Sequence, residues 1–271
     1  MSEKMKNVFR KLFDSTAILC FILIMAGCAT ERPADISLDE LKSQMAQAMD
    51  PAGEYRRASA YYQRQNITES GFFSTSHQLL EVRFQRPDKF KLSYYHKNKV
   101  ATEIISSGDQ AWLVDHRHGK VTAISGEAHD KLKLMQALGH PDTDYGKLFS
   151  NITLSMLQLE DDRWYYKMIC QPILTGSNPI IVYVDKATML PKRMEITINT
   201  PQGKITSVSD VEQYQKFGTL NIPVLTRVKD GSREYTTRVV GYQLNAAFLP
   251  EEFNLPEFDP VLLENTRQSR R

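Results

Sequence analysis

The chain is short of cysteine, net charge and long apolar runs, and each shortage removes a class of protein. Three cysteines among 271 residues cannot make a disulfide-stapled scaffold. A formal net charge of +2 includes a basic N-terminus and the tail RQSRR, so the body is nearly neutral and carries no electrostatic footprint for nucleic acid. The apolar run STAILCFILIM has eleven residues, well below the roughly 20 that a membrane-spanning helix needs. No GxSxG, HExxH or Walker loop occurs, so the common nucleophile, zinc and nucleotide signatures are missing.

What is present begins with an address. MSEKMKNVFRKLF carries Lys4, Lys6, Arg10 and Lys11 ahead of the apolar run, the order of a secretory signal peptide, expected over residues 1–27. The run ends in Ile24-Met25-Ala26-Gly27-Cys28, which resembles the bacterial lipobox. That resemblance implies that Cys28 becomes residue one, bears palmitate-class acyl chains and anchors the protein. Two or three chains, at about 0.8 kcal/mol per buried CH₂, hold where one alone is marginal. Ala29 rather than Asp follows the cysteine, which implies the outer membrane, facing the periplasm. Cys20 leaves with the leader and Cys170 has no partner, so no internal disulfide is expected.

Residues 28–36 read as a lipidated tether, 37–258 as one domain and 259–271 as a tail. SLDELKSQMAQAM opens with Ser37 three residues before Glu40, the capping-box spacing, and repeats Leu38, Leu41, Met45 and Met49 on one helical face. After Pro51-Ala52-Gly53 the period turns to two. Strands are expected near 55–68, 76–86, 88–97, 99–107, 109–116 and 119–124, joined by hairpin-length turns and therefore antiparallel. Two short helices, broken at Gly139-His140-Pro141, carry Leu132, Met135, Leu138, Tyr145, Leu148 and Phe149 as apolar sides; strands then resume to about residue 244. About a dozen antiparallel strands cannot stay flat, because long open sheets curl to bury an apolar face. The expected fold is mainly β (α+β): a single curled antiparallel sheet, incompletely closed, capped by an N-terminal helix and a central helix pair. A barrel this wide has room beyond what its own side chains fill.

The run RFQRPDKFKLSYY followed by EIISSGDQAWLVDHRHGKVTAI resembles the signature hairpins of the LolA/LolB superfamily of lipoprotein carriers. VDKATMLPKRMEI and NAAFLPEEFNLP resemble its later hairpin and its terminal segment, in the same order, over roughly 37–258. The resemblance implies an unclosed half-barrel of about eleven strands that binds acyl chains of lipoproteins or other lipids, without a cofactor and without catalysis, as a monomer. The implied partners are a periplasmic carrier or inner-membrane export machinery. It also implies a role for Arg86, beside Pro87, as a latch on the lid. The alternative is a lipid-responsive envelope sensor of MucB/RseB type, which shares the fold; a lipid hydrolase is a third reading, disfavoured because no nucleophile with a base can be assembled.

The expected cavity lining is Leu80, Val82, Phe84, Phe90, Leu92 and Tyr94 from the first hairpins, with Trp112 and Val114. The helices add Leu132, Met135 and Leu138, and the later strands Ile152, Leu154, Met156, Met168, Met194 and Ile196. Methionines suit a site that accepts varied chains. Other candidates carry blander readings. His116 and His118 with Asp115 lack a third metal ligand, Asp161-Asp162 reads as turn chemistry, Cys170 as a small core residue, and Phe72-Phe73 as a loop tucked under the barrel end.

Overall fold

The computed structural model describes residues 31–70, 75–138, 140, 143–159, 161–174, 176–200 and 203–257. The leader, Cys28, Phe72, Phe73 and the tail lie outside the described residues. In chain order the elements are β1 (Arg32–Pro33), α1 (Leu38–Met49), α2 (Glu54–Arg57), β2 (Ala60–Ser70), β3 (Thr75–Gln85), β4 (Lys89–His96), β5 (Lys99–Ser107), β6 (Gln110–Asp115) and β7 (Lys120–Ile124). Then follow α3 (Glu127–Leu138), α4 (Tyr145–Leu148), β8 (Phe149–Gln158), β9 (Trp164–Pro172), β10 (Ile180–Asp185), β11 (Pro191–Thr200), β12 (Gly203–Phe217), β13 (Leu220–Asp230), β14 (Arg233–Leu244) and a 3₁₀ turn, Pro250–Phe253.

All strands belong to one sheet, ordered β1-β8-β9-β10-β11-β12-β13-β14-β2-β3-β4-β5-β6-β7. Hairpins make most of the pairings; the long-range seam is β14 against β2, where Thr237 faces Ile67 and Leu244 faces Tyr61. β1 and β7 remain as edges, so the sheet curls without closing. Among the described residues fourteen strands stand where about eleven were expected. One of the additions is β1, drawn from the segment read as a tether: Arg32 pairs with Met156 and Pro33 with Ser155. Lys167 pairs with Glu31, Lys186 and the Tyr166 hydroxyl bond Asp35, and the Arg32 guanidinium lies 5.0 Å from the centre of the Trp164 ring.

α1 forms as its pattern predicts, with Ser37 Oγ accepting from the Glu40 amide at 3.2 Å and Leu41 and Met45 buried. The stretch from residue 55, expected as strand, instead opens with the helical turn α2. The reason is local: the Asp50 carboxylate accepts from the amides of Glu54 (2.7 Å) and Tyr55 (3.1 Å), satisfying the first N–H groups of a helix. Glu54 in turn reaches the β12–β13 turn, where a side chain on Gly218 (φ +63°) would meet its Oε2 at 2.8 Å.

The two faces of the sheet differ. On the concave face α1, α3 and α4 pack against β8–β10, burying Leu41, Met45, Leu134, Phe149, Met168 and Cys170 with Ile180, Val182 and Val184. On the convex face, charged groups are buried in pairs. Glu81 accepts from Tyr62 and Tyr95 hydroxyls and from Arg83 at 2.8–2.9 Å, and Arg83 continues to Glu252 of the 3₁₀ turn. Glu103 is held by Ser93 Oγ (2.8 Å), Lys91 Nζ (3.0 Å) and His116 Nε2 (2.8 Å).

Burial by itself would push the Glu103 carboxyl up, but the bonds from His116, Ser93 and Lys91 outweigh it and hold it below the ordinary value of 4.5. Its contribution to stability is therefore full above that value and disappears as the pH falls through the lower folded one. We expect the protein to lose stability as acidification takes the pH from neutral to below the ordinary carboxylate value of 4.5, and Glu103→Gln to flatten that loss while lowering stability at neutral pH by about 1–3 kcal/mol. Urea titrations of both proteins across the range check it; identical pH slopes would remove Glu103 from the account.

Candidate functional site

Directly opposed residues of paired strands share a face, so the registers decide which apolar side chains point inward. Tyr61, Phe84 and Phe90 are opposed in series across β2, β3 and β4, as are Gln63, Val82 and Leu92, and Gln65, Leu80 and Tyr94. Leu92 opposes Ile104, and Ile104 opposes Leu113. On the other flank Leu154, Met168, Val182 and Met194 are opposed in series across β8 to β11, with Ile152 and Ile196 two positions along and Met156 on the other side. All of these lie on the concave face.

Trp112 and Val114 do not. They oppose Ile105 and Glu103, on the convex face with the buried charges, and the expectation that they line a cavity is corrected. β6 reads AlaTrpLeuVal, apolar in both parities, so alternation could not choose between Ala111–Leu113 and Trp112–Val114; the pairing with β5 chose.

A cavity of about 580 Å³ lies between the concave face and the helices. Its floor spans β2–β4 and β10–β14. Leu132, Met135, Gln136 and Leu138 of α3, Met49 at the end of α1, Tyr55 and Tyr145 stand over it. Among the residues expected to line it, Leu80, Val82, Phe90, Leu92, Leu132, Met135, Leu138 and Met194 are on its wall. Met135 is 43% exposed while touching the cavity, which puts it at the mouth. Phe84 and Tyr94 sit one layer away, packed with Leu80, Val82 and Phe90. Ile152, Leu154, Met156, Met168 and Ile196 face the same side but are covered: α1, α3 and α4 fill the space above β8–β10, and Met168 is 0% exposed. Met168 belongs to packed core and the other four are partly buried against it, so none of the five is on the cavity wall, correcting their placement there, because helices of this length cover part of so wide a sheet.

Sequence reasoning missed Tyr61, Gln63 and Gln65 of β2, Val182, Ile222, Val228, Thr226, Thr237, Tyr242 and Gln136, which also line the cavity. Gln63 and Gln65, interleaved with Arg64 and Asn66, look like part of a solvent-exposed stretch, and only the β2–β3 register shows that they point inward.

The cavity holds no exposed ionic charge among the described residues. Arg193, the charged residue on its wall, is bidentate to Asp210 at 2.6 and 3.3 Å. Burial pushes the Tyr61 phenol up to about 12 against the opposing bond with Tyr55, and burial with the nearby Cys170 pushes Tyr145 up to about 12. Burial raises Tyr214 and Tyr242 as well, so all four are neutral hydroxyls at physiological pH.

Arg86 sits at one end of the cavity. Its Nε donates to the Ala58 carbonyl at 2.9 Å and its Nη2 to the Tyr55 carbonyl at 3.2 Å, closing the C-terminal end of α2. The guanidinium carbon also lies 5.4 Å from the Tyr55 ring centre and 6.0 Å from that of Phe84. His140, just beyond α3, packs on Phe84, Tyr55 and Tyr61 at 4.6, 5.5 and 6.1 Å. Those shared rings connect Arg86 to the segment that follows α3.

The remaining candidates are accounted for by local bonding. His116 and His118 turn to different carboxylates, Glu103 at 2.8 Å and Asp115 at 2.6 Å. Asp162 has φ +60° in the β8–β9 turn, and Asp161 Oδ1 accepts from the Arg163 amide at 3.2 Å. Cys170 is 0% exposed, and burial pushes its thiol up to about 12, the reverse of an activated nucleophile.

This arrangement is an open half-barrel with an apolar cavity roofed by helices. Comparison with solved structures shows it to be a LolA-like fold. A DUF1329 family protein from Desulfovibrio piger superposes with a TM-score of 0.56 at 10% identity, covering 80% of this chain and 97% of that one. A LolA superfamily protein from Nitrosomonas europaea gives 0.54 at 11% identity, covering 80% and 96%. A putative outer membrane lipoprotein-sorting protein domain from Vibrio parahaemolyticus gives 0.53 at 13% identity, covering 79% and 95%. No protein-family model matches the sequence, and no curated protein is found similar to it.

The division of the concave face into filled and open halves has a measurable consequence. Met168→Ala leaves a void inside packed core and is expected to cost about 2–5 kcal/mol, whereas Leu92→Ala, with one side already facing open space, is expected to cost under about 2 kcal/mol. Equal losses in chemical denaturation would mean that the two halves are packed alike.

Proposed function

We propose that the protein binds acyl chains of lipoproteins or other lipids in the cavity under α3, and serves lipid or lipoprotein sorting to the outer membrane as a binding protein rather than an enzyme. One observation carries this: the same concave face carries a buried apolar cluster under the helices over β8–β10 and a hollow, with mainly apolar walls, over β2–β4 and β10–β14. An empty apolar hollow forfeits the contacts its lining would make, and a hydrocarbon chain restores them at about 0.8 kcal/mol per buried CH₂. The likeness to a structure described as a lipoprotein-sorting domain supports the direction of the reading. A carrier or export machinery would supply the chain, and transfer runs forward where the next site binds it more tightly.

Native mass spectrometry of the protein purified from cell envelopes tests the binding role. A co-purifying lipid or acyl peptide that detergent exchange removes is the expected result. Protein that is empty on isolation and takes up no fluorescent acyl probe would overturn the reading.

Anchoring through Cys28 at the periplasmic face of the outer membrane is the second part of the proposal. It is supported by the lipobox-like run before Cys28 and by the docking of Glu31, Arg32 and Asp35 on the sheet, three residues and more downstream. At about 3.5 Å per residue, the anchor would hold the β8–β9 flank within roughly 10 Å of the bilayer. Cys28→Ser is expected to move the protein from the outer-membrane fraction to the soluble fraction. Unchanged sedimentation with membranes, or an unacylated Cys28 by peptide mass, would refute the anchor.

A further inference from the structure

The cavity is not uniformly oily. A band of uncharged hydrogen-bonding groups crosses its floor, from Gln63 and Gln65 on β2, through Thr237 on β14 and Thr226 on β13, to Ser209 on β12. Thr237 and Thr226 are directly opposed across the β13–β14 pair. Above the floor, α3 places Gln136 on the wall of the same cavity, and its Nε2 is buried with no hydrogen-bond partner among the described residues. Apolar walls flank the band, with Leu80, Val82 and Leu92 on one side and Val182 and Met194 on the other.

A cavity built for bare hydrocarbon gains nothing from such a band. Leucine or valine at these strand positions would suit a buried apolar surface better, and an amide buried without a partner costs free energy that a ligand's acceptor can return. The chemistry also restricts what that acceptor can be. Arg193, the charged group on the wall, is already matched by Asp210, and no carboxylate or second cation is on it. A carboxylate or phosphate carried inside would lose its water with no counter-charge to replace it.

We propose that the ligand carries an uncharged ester or amide linkage at the depth of this band, its carbonyl accepting from Gln136 and its remaining polar atoms meeting Gln63 and Gln65, and that the site thereby prefers esterified or amide-linked acyl chains to free fatty acids. The inference rests on the acyl-binding reading and names the ligand class for that same cavity. Charged head groups stay outside, past Met135 at the mouth.

The test uses the intact protein with three radiolabelled probes of equal chain length, 1-palmitoylglycerol, palmitate and hexadecane, and measures the fraction bound after gel filtration at neutral pH. The expected order puts the glycerol ester first by about ten-fold over either of the others. Replacing the band with Gln63→Leu, Gln65→Leu and Gln136→Leu together is expected to erase that advantage while hexadecane binding is kept or improved. Gln136→Leu alone, on a helix surface, is expected to give a partial loss and guards against misfolding of the triple variant. Palmitate or hexadecane bound as tightly as the ester, or a preference that survives Gln136→Leu and the folded triple variant undiminished, would overturn the inference while leaving acyl binding intact. Uptake of none of the three would bring down the acyl-binding reading and this inference with it.

Discussion

A single curled sheet has one concave face, and everything on that face must be covered by something. Here, among the described residues, fourteen strands curl around a hollow that two twelve-residue helices and two single turns cannot fill. α1 and the ends of α3 and α4 close over β8–β10 and build dense core there, with Leu41, Met168 and Cys170 at 0% exposure. The remainder of the face is left with rings, methyls and thioethers, and a band of glutamine, threonine and serine groups, lining open space. The cavity is thus a consequence of covering: helix surface is short relative to sheet surface, and its shortage is concentrated over β2–β4 and β11–β14. Interiors otherwise pack like organic solids, so a hollow of about 580 Å³ sets this part of the face apart and is the observation on which the proposed acyl binding rests.

The convex side meets a different demand. Without helices to cover it, the sheet mixes exposed polar residues with buried apolar ones such as Ile105, Val114 and Tyr165, and where side chains crowd at its centre the charges are buried in matched groups. Glu81 with Tyr62, Tyr95 and Arg83, and Glu103 with Lys91, Ser93 and His116, each satisfy a carboxylate completely enough to keep it ionised. Arg83 then reaches Glu252, and Lys89 lies 5.8 Å from the ring centre of Phe253, so the chain's last described turn is fastened across the outside of β4 and β5. The N-terminal segment is fastened at the opposite edge through Glu31, Arg32 and Asp35. The two chain ends therefore brace the flanks of a sheet that has no closing seam of its own.

At the end of the cavity these demands meet in a ring cluster. Tyr55 from α2, Tyr61 from β2, Phe84 from β3 and His140 beyond α3 share contacts, and Arg86 ties the α2 carbonyls beneath them. The floor and the segment after α3 are joined here through aromatic faces rather than through helix hydrogen bonds. Roof and floor thus meet in ring-to-ring contacts at this end of the cavity.

Much of this was written in the period of the sequence. Ser37 and Glu40 placed α1; the alternation of Leu80, Val82, Phe90 and Leu92 identified an inward face and a curled antiparallel sheet. Those features are local, because a capping box spans one turn and a pleat repeats every two residues. What alternation could not decide were places where both parities are apolar, as in Ala111–Val114, or where the inward residue is polar, as at Gln63 and Gln65. It also could not say that Met168 would be buried under the helices while Leu92 would line a hollow, nor that Asp50 would turn the start of an expected strand into a helical turn. Those outcomes depend on which strand lies opposite which and how far a helix reaches, and such distances between remote parts of the chain exist only once the sheet has curled.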